Sequence, residues 1–146
     1  MSYAETIRAR RQNLNMTQEE LAEAMACPVS RISRWESGEQ QPNLMQVPFL
    51  CAALDMSYET FFGVPSRSRR RKHRIGYQLS YLPIMCNYKI ATMRQRQNMS
   101  IEDFAAACGV DVSLAKRWEA GTAIPKLPMI PVICSVLKIR LRRFFE

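Results

Sequence analysis

The chain has 146 residues, a formal net charge of +8 and an apolar fraction of 47%. This composition is typical of a globular protein with one ordinary domain or two small ones. No apolar run is long enough to span a membrane. The first ten residues, MSYAETIRAR, contain no apolar signal-peptide core, so we expect a cytoplasmic protein.

The cysteines and histidine do not form a recognisable metal site. Five cysteines are present without a CxxC pair, and His73 is the single histidine. Zinc requires clustered thiolate or imidazole ligands at characteristic spacing. Nothing resembles a nucleophile–base pair or a phosphate-binding glycine loop, so we expect neither a cofactor nor an enzyme. Cys51 and Cys134 fall on apolar helical faces and are interpreted as reduced core residues.

The first predicted helix covers residues 4–14, with Ile7 and Leu14 facing the core. Thr17 and Glu20 then form a capping-box pattern, which predicts the start of a second helix. That helix should end near Ala26 in a left-handed conformation, which costs a residue other than glycine about 1 kcal/mol. Another short helix follows from about Val29 to Gly38, so a helix-turn-helix is predicted.

The next apolar residues have helical spacing but are interrupted by a proline. They are Leu44, Val47, Leu50 and Leu54. Because proline is tolerated only in the first turn of a helix, we expect the fourth helix to begin near Pro48. Ser57 should cap a last short helix that ends at Phe61 and Phe62.

The same pattern returns later in the chain. An offset of 83 residues aligns positions 7–62 with 90–145 without a gap, and 21 of 56 positions are identical. Two copies are too few for a solenoid and indicate a duplicated domain. In the second copy, Ser100 and Asp103 repeat the capping pattern, and Asp111 is predicted to cap the next helix. We therefore predict domains at 1–63 and 83–146.

Residues 64–82 are predicted to be a basic linker. Residues 1–63 carry five basic and eight acidic side chains, whereas residues 64–89 carry seven basic and none acidic. The linker is either a solvated hinge or an arm that contacts DNA phosphates or the minor groove. We favour the arm, whose contacts would be Arg69, Arg70, Arg71, Lys72 and Arg74. Residues 75–81 form either a strand or the approach to a helix that begins near Pro83.

Three motifs resemble a known family. They are TQEELA at 17–22, ISRWESG at 32–38 and Pro42. This set resembles the Cro-like phage-repressor helix-turn-helix family, also called the xenobiotic-response-element type. The resemblance covers roughly residues 4–63 and 86–146. It implies an all-α protein of two tandem five-helix domains, in each of which the third helix enters the major groove of double-stranded DNA.

The resemblance also implies roles for individual residues. Base-reading positions fall on Val29, Ser30, Arg31, Ser33 and Arg34, and in the second copy on Val112, Ser113, Leu114, Lys116 and Arg117. Phosphate-binding positions fall on Gln18 and Ser37. Their counterparts Ile101 and Ala120 are apolar, so the second copy is expected to be the weaker reader. Structural ion pairs are implied for Arg11 with Glu36 and for Arg94 with Glu119.

The leading hypothesis is a sequence-specific DNA-binding regulator, a repressor that acts by occupying its operator. The family resemblance points to proteins of phage, plasmid or toxin–antitoxin type. The alternative is a protein-interaction module, an antitoxin or an inhibitor of a host defence enzyme, in which residues 83–146 bind a protein partner. Leu114 and Ile124 replace Arg31 and Gln41 there, and such apolar positions face either a partner or the sister domain. RNA binding is disfavoured because no aromatic stacking motif is present. The sequence leaves open whether one chain acts as a pseudo-dimer or two chains form a homodimer.

Overall fold

The structure, a computed structural model, describes residues 1–65 and 82–145, with side chains of the second range given from residue 86. Every regular element in these two ranges is an α-helix. The chain divides into two compact units, one containing the helices of the first copy and the other those of the second. The first unit consists of α1 (Tyr3–Asn13), α2 (Gln18–Ala24), α3 (Val29–Ser37), α4 (Val47–Ala53) and α5 (Tyr58–Phe62). The second consists of α6 (Leu82–Arg96), α7 (Ile101–Cys108), α8 (Val112–Ala120), α9 (Met129–Val136) and α10 (Leu141–Phe145).

The core of each unit surrounds the central helix-turn-helix. In the first unit, α1 and α2 pack against α3, and Ile7, Leu21 and Ile32 are fully buried. The prediction for Ile7 is therefore confirmed. Leu14 is 37% exposed, so the expectation that it faces the core is wrong. Leu14 lies one residue beyond α1 as its C-cap, with non-helical backbone angles of φ −89° and ψ 1°.

The helix starts follow the predicted caps, with one correction. Thr17 and Glu20 form both halves of the capping box, at 3.1 and 2.8 Å. Ser100 accepts a hydrogen bond from the backbone of Asp103 at 3.0 Å. Asp111 does occupy the N-cap of α8, but its side chain makes no capping hydrogen bond, so in this respect it is no better than Pro28. The hydrogen bond expected from the Asp111 carboxylate is therefore not formed.

The two prolines lie in the first turns of α4 and α9. α4 begins one residue before Pro48, and α9 begins two residues before Pro131. Both starts agree with the prediction to within the usual uncertainty of helix ends. Ser57 caps α5 through the backbone N–H of Thr60 at 3.1 Å. The last helix therefore starts at the predicted residue in the first unit.

All five cysteines are free thiols. Cys51 and Cys134 are 2% and 3% exposed, which confirms their placement in the core. Burial raises the pKa of Cys51, and it raises the pKa of Cys134 to about 12. Both thiols therefore remain protonated at neutral pH.

The predicted linker falls largely outside the described residues. The basic side chains of the proposed arm, Arg69, Arg70, Arg71, Lys72 and Arg74, belong to residues 66–81, and so do the alternatives for residues 75–81. The exact limits of the two domains therefore stay predictions.

The left-handed backbone at the end of α2 provides a test of stability. Ala26 has φ +48°, and its counterpart Gly109 has φ +69°. We expect Ala26→Gly to raise the free energy of unfolding by about 1 kcal/mol, because glycine adopts this conformation without strain. Gly109→Ala is the matched control and should lower it by a similar amount, since a Cβ at 109 has no heavy atom within 4 Å and only the backbone is strained. Urea denaturation of both variants measures this. A lower free energy of unfolding for Ala26→Gly would contradict the view that the backbone is strained at Ala26.

Candidate nucleic-acid interface

The outer face of α3 carries the predicted base-reading side chains. Ile32, Trp35 and Glu36 of this helix are buried. The other side of the helix is exposed, and it contains Val29, Ser30, Arg31, Ser33 and Arg34. Pro28, without an N–H, precedes the helix, and Gly38 ends it with φ +81°. The structure thus brings all five predicted residues of the first copy onto one accessible surface.

α8 has a similar division of faces with a less polar outer side. Ala115 and Trp118 are buried, whereas Ser113, Lys116 and Arg117 are exposed. Val112 and Leu114 are half-buried. Ile124, which follows α8, is 54% exposed. The second copy therefore presents two cations on this face but also more apolar surface.

Glu36 fixes α3 to the rest of the first unit. Its side chain is 2% exposed. Arg11 of α1 donates two hydrogen bonds to the carboxylate, Nε to Oε1 at 2.6 Å and Nη2 to Oε2 at 3.0 Å. The same guanidinium donates to the carbonyl of Met16 at 2.7 Å, so it also holds the loop before α2. Gln18, the first residue of α2, donates from Nε2 to Oε2 of Glu36 at 2.9 Å.

Arg8 is a further partner of Glu36 that the sequence analysis missed. Its Nη2 donates to the backbone carbonyl of Glu36 at 2.7 Å, and its Nε lies 3.9 Å from Oε2. This carbonyl lies in the last turn of α3, where carbonyls have no partner within the helix. The spacing of Arg8 and Arg11 was a usable signal, since residues three apart share a helix face. We call Glu36 with Arg8, Arg11 and Gln18 the Glu36 network.

The second unit has a smaller version of this network. Arg94 donates to Glu119 at 2.6 and 3.0 Å and to the carbonyl of Met99 at 2.7 Å. Position 91, equivalent to Arg8, is alanine, and position 101, equivalent to Gln18, is isoleucine. The side chain of Glu119 is 16% exposed, compared with 2% for Glu36. Among the residues that the structure describes, Glu119 is therefore paired with one guanidinium.

The family match decides what kind of protein this is. Residues 7–61 and 90–144 each match the sequence profile of a helix-turn-helix family. These two segments make up most of the chain. The chain belongs to the Cro/C1-type helix-turn-helix family. This is a family of DNA-binding regulators, so the outer faces of α3 and α8 are candidate DNA-contacting surfaces. No curated protein and no solved structure matches the chain significantly.

The two predicted phosphate-binding residues of this helix-turn-helix are both engaged within the protein. The amide nitrogen of Gln18 donates to Glu36, so it connects the start of α2 to α3. The Oγ of Ser37 donates to the carbonyl of Arg34 at 3.1 Å and accepts from the backbone of Glu39 at 3.4 Å. Ser37 therefore supports the C-terminal end of α3.

The described helices are not membrane spans: among them, none is both long enough and apolar enough to cross a bilayer. In the same residues, no group of three or more potential metal ligands is found.

The Glu36 network sets the protonation of its members. Burial by itself would raise the pKa of Glu36, but hydrogen bonds from Arg11 and Gln18 and the charges of Arg11 and Arg8 outweigh it, so the pKa is lowered. The hydrogen bond to Glu36 raises the pKa of Arg11. Because the pKa of Glu36 is lower in the folded state, the ionised carboxylate stabilises the fold fully above the unfolded pKa of about 4.3. This stabilisation is lost as the pH falls through the folded value.

Removing the charge of Glu36 should destabilise the first unit. Glu36→Gln leaves the Arg11 guanidinium without its counter-charge in a buried site. We therefore expect the free energy of unfolding to fall by about 3 kcal/mol or more. Glu119→Gln is the matched control and should cost less, because Glu119 is more exposed and has one arginine partner. Urea titration at neutral pH, with amide hydrogen exchange of α1–α5 and α6–α10 followed separately, measures both. The difference in the free energy of unfolding between wild type and Glu36→Gln should also become smaller as the pH falls below about 4. If the two substitutions lowered the free energy of unfolding equally, the proposed difference between the Glu36 and Glu119 sites would be wrong.

Proposed function

We propose that the protein is a cytoplasmic, sequence-specific repressor that acts by occupying a DNA operator rather than by catalysis. The observation that carries this proposal is the exposed polar face of α3, held in position by the buried Glu36 network. Rigid placement matters because a base contact requires hydrogen-bonding groups at defined positions in the groove. A small regulator of phage, plasmid or toxin–antitoxin type fits this design.

The chemistry of the α3 face suits the major groove. The guanidinium of Arg31 or Arg34 can donate two hydrogen bonds to O6 and N7 of guanine. The hydroxyls of Ser30 and Ser33 can donate or accept, so they are compatible with several base edges. Val29, at 37% exposure, offers an apolar contact for a thymine methyl group. Together these side chains supply the readout that we assign to the first copy.

Phosphate contacts would provide most of the affinity. We assign them to the amides and side chains at the start of α2 around Gln18, to the region of Ser37, and to the basic linker. Since Gln18 and Ser37 are also engaged within the protein, their contribution depends on the groups that they leave accessible.

The second copy is proposed to be the weaker reader. Ser113, Lys116 and Arg117 are available for DNA, but Ile101 and Ala120 lack the polar groups of Gln18 and Ser37. Lysine acts as a flexible point charge and contributes more to general than to specific binding. Two copies in one chain could read unlike half-sites, and a homodimer could read a palindrome with its first copies.

One observation favours a second candidate function for this copy. Tyr88 and Ile124 are 64% and 54% exposed, and their first-copy counterparts are Glu5 and Gln41. Exposed apolar side chains mark protein-binding surfaces where they form a contiguous patch. A protein partner, as in an antitoxin or an inhibitor of a defence enzyme, would dock on the second unit. Pull-down without DNA, compared between the wild type and Tyr88→Glu with Ile124→Gln, tests this candidate.

Substitutions on the recognition helices test the main proposal. We expect Arg34→Ala and Ser30→Ala to weaken binding to a selected operator and relax base preference, with the arginine change costing about 1–3 kcal/mol of discrimination. Thermal stability should change little, because both side chains are exposed. Binding to a panel of single-base operator variants, selected first from random DNA, provides the measurement.

Arg117→Ala is the matched comparison in the second copy. On the same operator and in the same salt, it should cost less specificity than Arg34→Ala, because the helix that carries it is less well supported. If Arg117→Ala costs as much, the second copy is a full reader and the proposed asymmetry is wrong.

Neutralising the linker tests the source of affinity. Replacing Arg69, Arg70, Arg71 and Lys72 by glutamine should weaken specific and random DNA binding about equally. Each lost phosphate contact should reduce the slope of log affinity against log salt by about 0.9. An unchanged slope would show that the linker is a hinge.

A further inference from the structure

The last helix of the second unit carries a dense group of cations. Four basic side chains fall within six residues around α10, and all four are exposed. They are Lys138, Arg140, Arg142 and Arg143, and we call them the α10 basic patch. None of the predicted DNA contacts involves these four residues.

The patch accounts for nearly all of the charge difference between the two copies. Residues 7–62 carry five basic and seven acidic side chains, net −2, and residues 90–145 carry nine basic and four acidic, net +5. The copies therefore differ by seven charges. The equivalent segments 55–60 and 138–143 have net charges of −2 and +4. Six of these seven charges thus lie in one short segment, and the remaining aligned residues of the two copies differ by one charge.

The two helices that pack against α10 contain no acidic residue. α10 packs against α6 and α9. α6 contains Lys89, Arg94 and Arg96 but no acidic residue, and α9 contains no charged residue. Lys89 donates from Nζ to the carbonyls of Arg143 and Phe144 at 3.0 and 3.1 Å, which adds a further cation at the end of α10. α6 and α9 therefore place no acidic side chain beside the patch.

The patch lies on a different element from the proposed reading helix. α8 packs against α6 and α7, whereas α10 packs against α6 and α9. Three of the four patch residues are arginines, whose planar guanidinium groups match phosphate oxygens in pairs. Duplex DNA presents one negative charge per about 1.7 Å of helix axis, so it attracts a group of exposed cations whatever its base sequence.

We propose that the α10 basic patch is a second DNA-binding surface, which holds the phosphate backbone of duplex DNA independently of sequence. The proposal rests on the proposed function in that DNA is the ligand, but it assigns the contact to a surface outside both recognition helices. Residues 1–65 of the first unit carry five basic and eight acidic side chains. The patch also explains how this negatively charged unit remains on DNA. The second unit supplies the attraction that the first unit lacks.

The experiment measures binding to a random-sequence duplex. The variant K138N/R140Q/R142Q/R143Q of the full chain removes four charges from the patch. Asparagine is chosen at 138 because the residue there has φ +53°, which asparagine tolerates. Fluorescence anisotropy over a series of salt concentrations gives the slope of log affinity against log salt. We expect this slope to fall by up to roughly 3.6, since each phosphate contact contributes about 0.9.

Two controls separate charge from folding. R140K/R142K/R143K keeps the charge, so the salt slope should stay at the wild-type value. The milder R140Q/R143Q variant should lose up to roughly 1.8 units of slope, which provides the same test if the fourfold variant is destabilised in thermal melting. A loss smaller than about 0.9 in the folded variant, less than one phosphate contact, overturns the proposal.

The outcome is distinguishable from failure of the proposed function. Discrimination between a selected operator and random DNA tests the reading helices, and the patch variants should leave that ratio unchanged. If the wild type selects no sequence but the patch variants still lose slope on random DNA, sequence-specific repression fails and the patch stands. If the slope is retained while self-association in sedimentation is lost, the patch binds protein and the proposal is overturned.

Discussion

The carboxylate of Glu36 is the group on which the arrangement of the first unit depends. It is buried on α3, and the residues that hold it come from α1 and from the start of α2. An ionised carboxylate in such a place is unfavourable unless it is paired and hydrogen-bonded. The three helices must therefore meet in one geometry, and that geometry turns the opposite face of α3 outwards. The exposed side chains can then differ between proteins, or between copies, without a change in the fold.

The comparison of the two copies shows how much of such a network a domain needs. Arg94 and Glu119 keep the distances of Arg11 and Glu36, 2.6 and 3.0 Å. Arg8 and Gln18 have no polar counterparts. A different contact is kept in both copies but made by different residues: Gln97 of the loop after α6 donates to the carbonyl of Leu137, and in the first unit Arg10 donates to the equivalent carbonyl of Leu54 at 2.8 Å. The end of the fourth helix is thus secured in both copies, by residues at different positions of the preceding segment.

Local signals in the sequence predicted most of the helices, and long-range partners limited the rest. Capping residues such as Thr17 and Ser57, and prolines in first turns, act within a few residues and can be located from spacing alone. The exposed face of α3 followed from the family resemblance together with the apolar spacing of Ile32 and Trp35. Arg8 was missed because its partner is 28 positions away in the chain, and the side-chain hydrogen bond expected of Asp111 depends on a rotamer that sequence does not specify. The charge of α10 was visible in the sequence, but its significance required knowing which helices pack around it.

The distribution of thiols also determines where the molecule can be labelled. Of the five cysteines, four are buried and Cys27 is half-buried. Burial raises the pKa of Cys27 as well, although the charge of Arg31 opposes this. Cys27 stands two residues before α3, so a thiol-reactive fluorophore enters the native protein at the N-terminal end of the recognition helix. The unmodified chain thus contains its own attachment point for an optical reporter beside the surface assigned to base recognition.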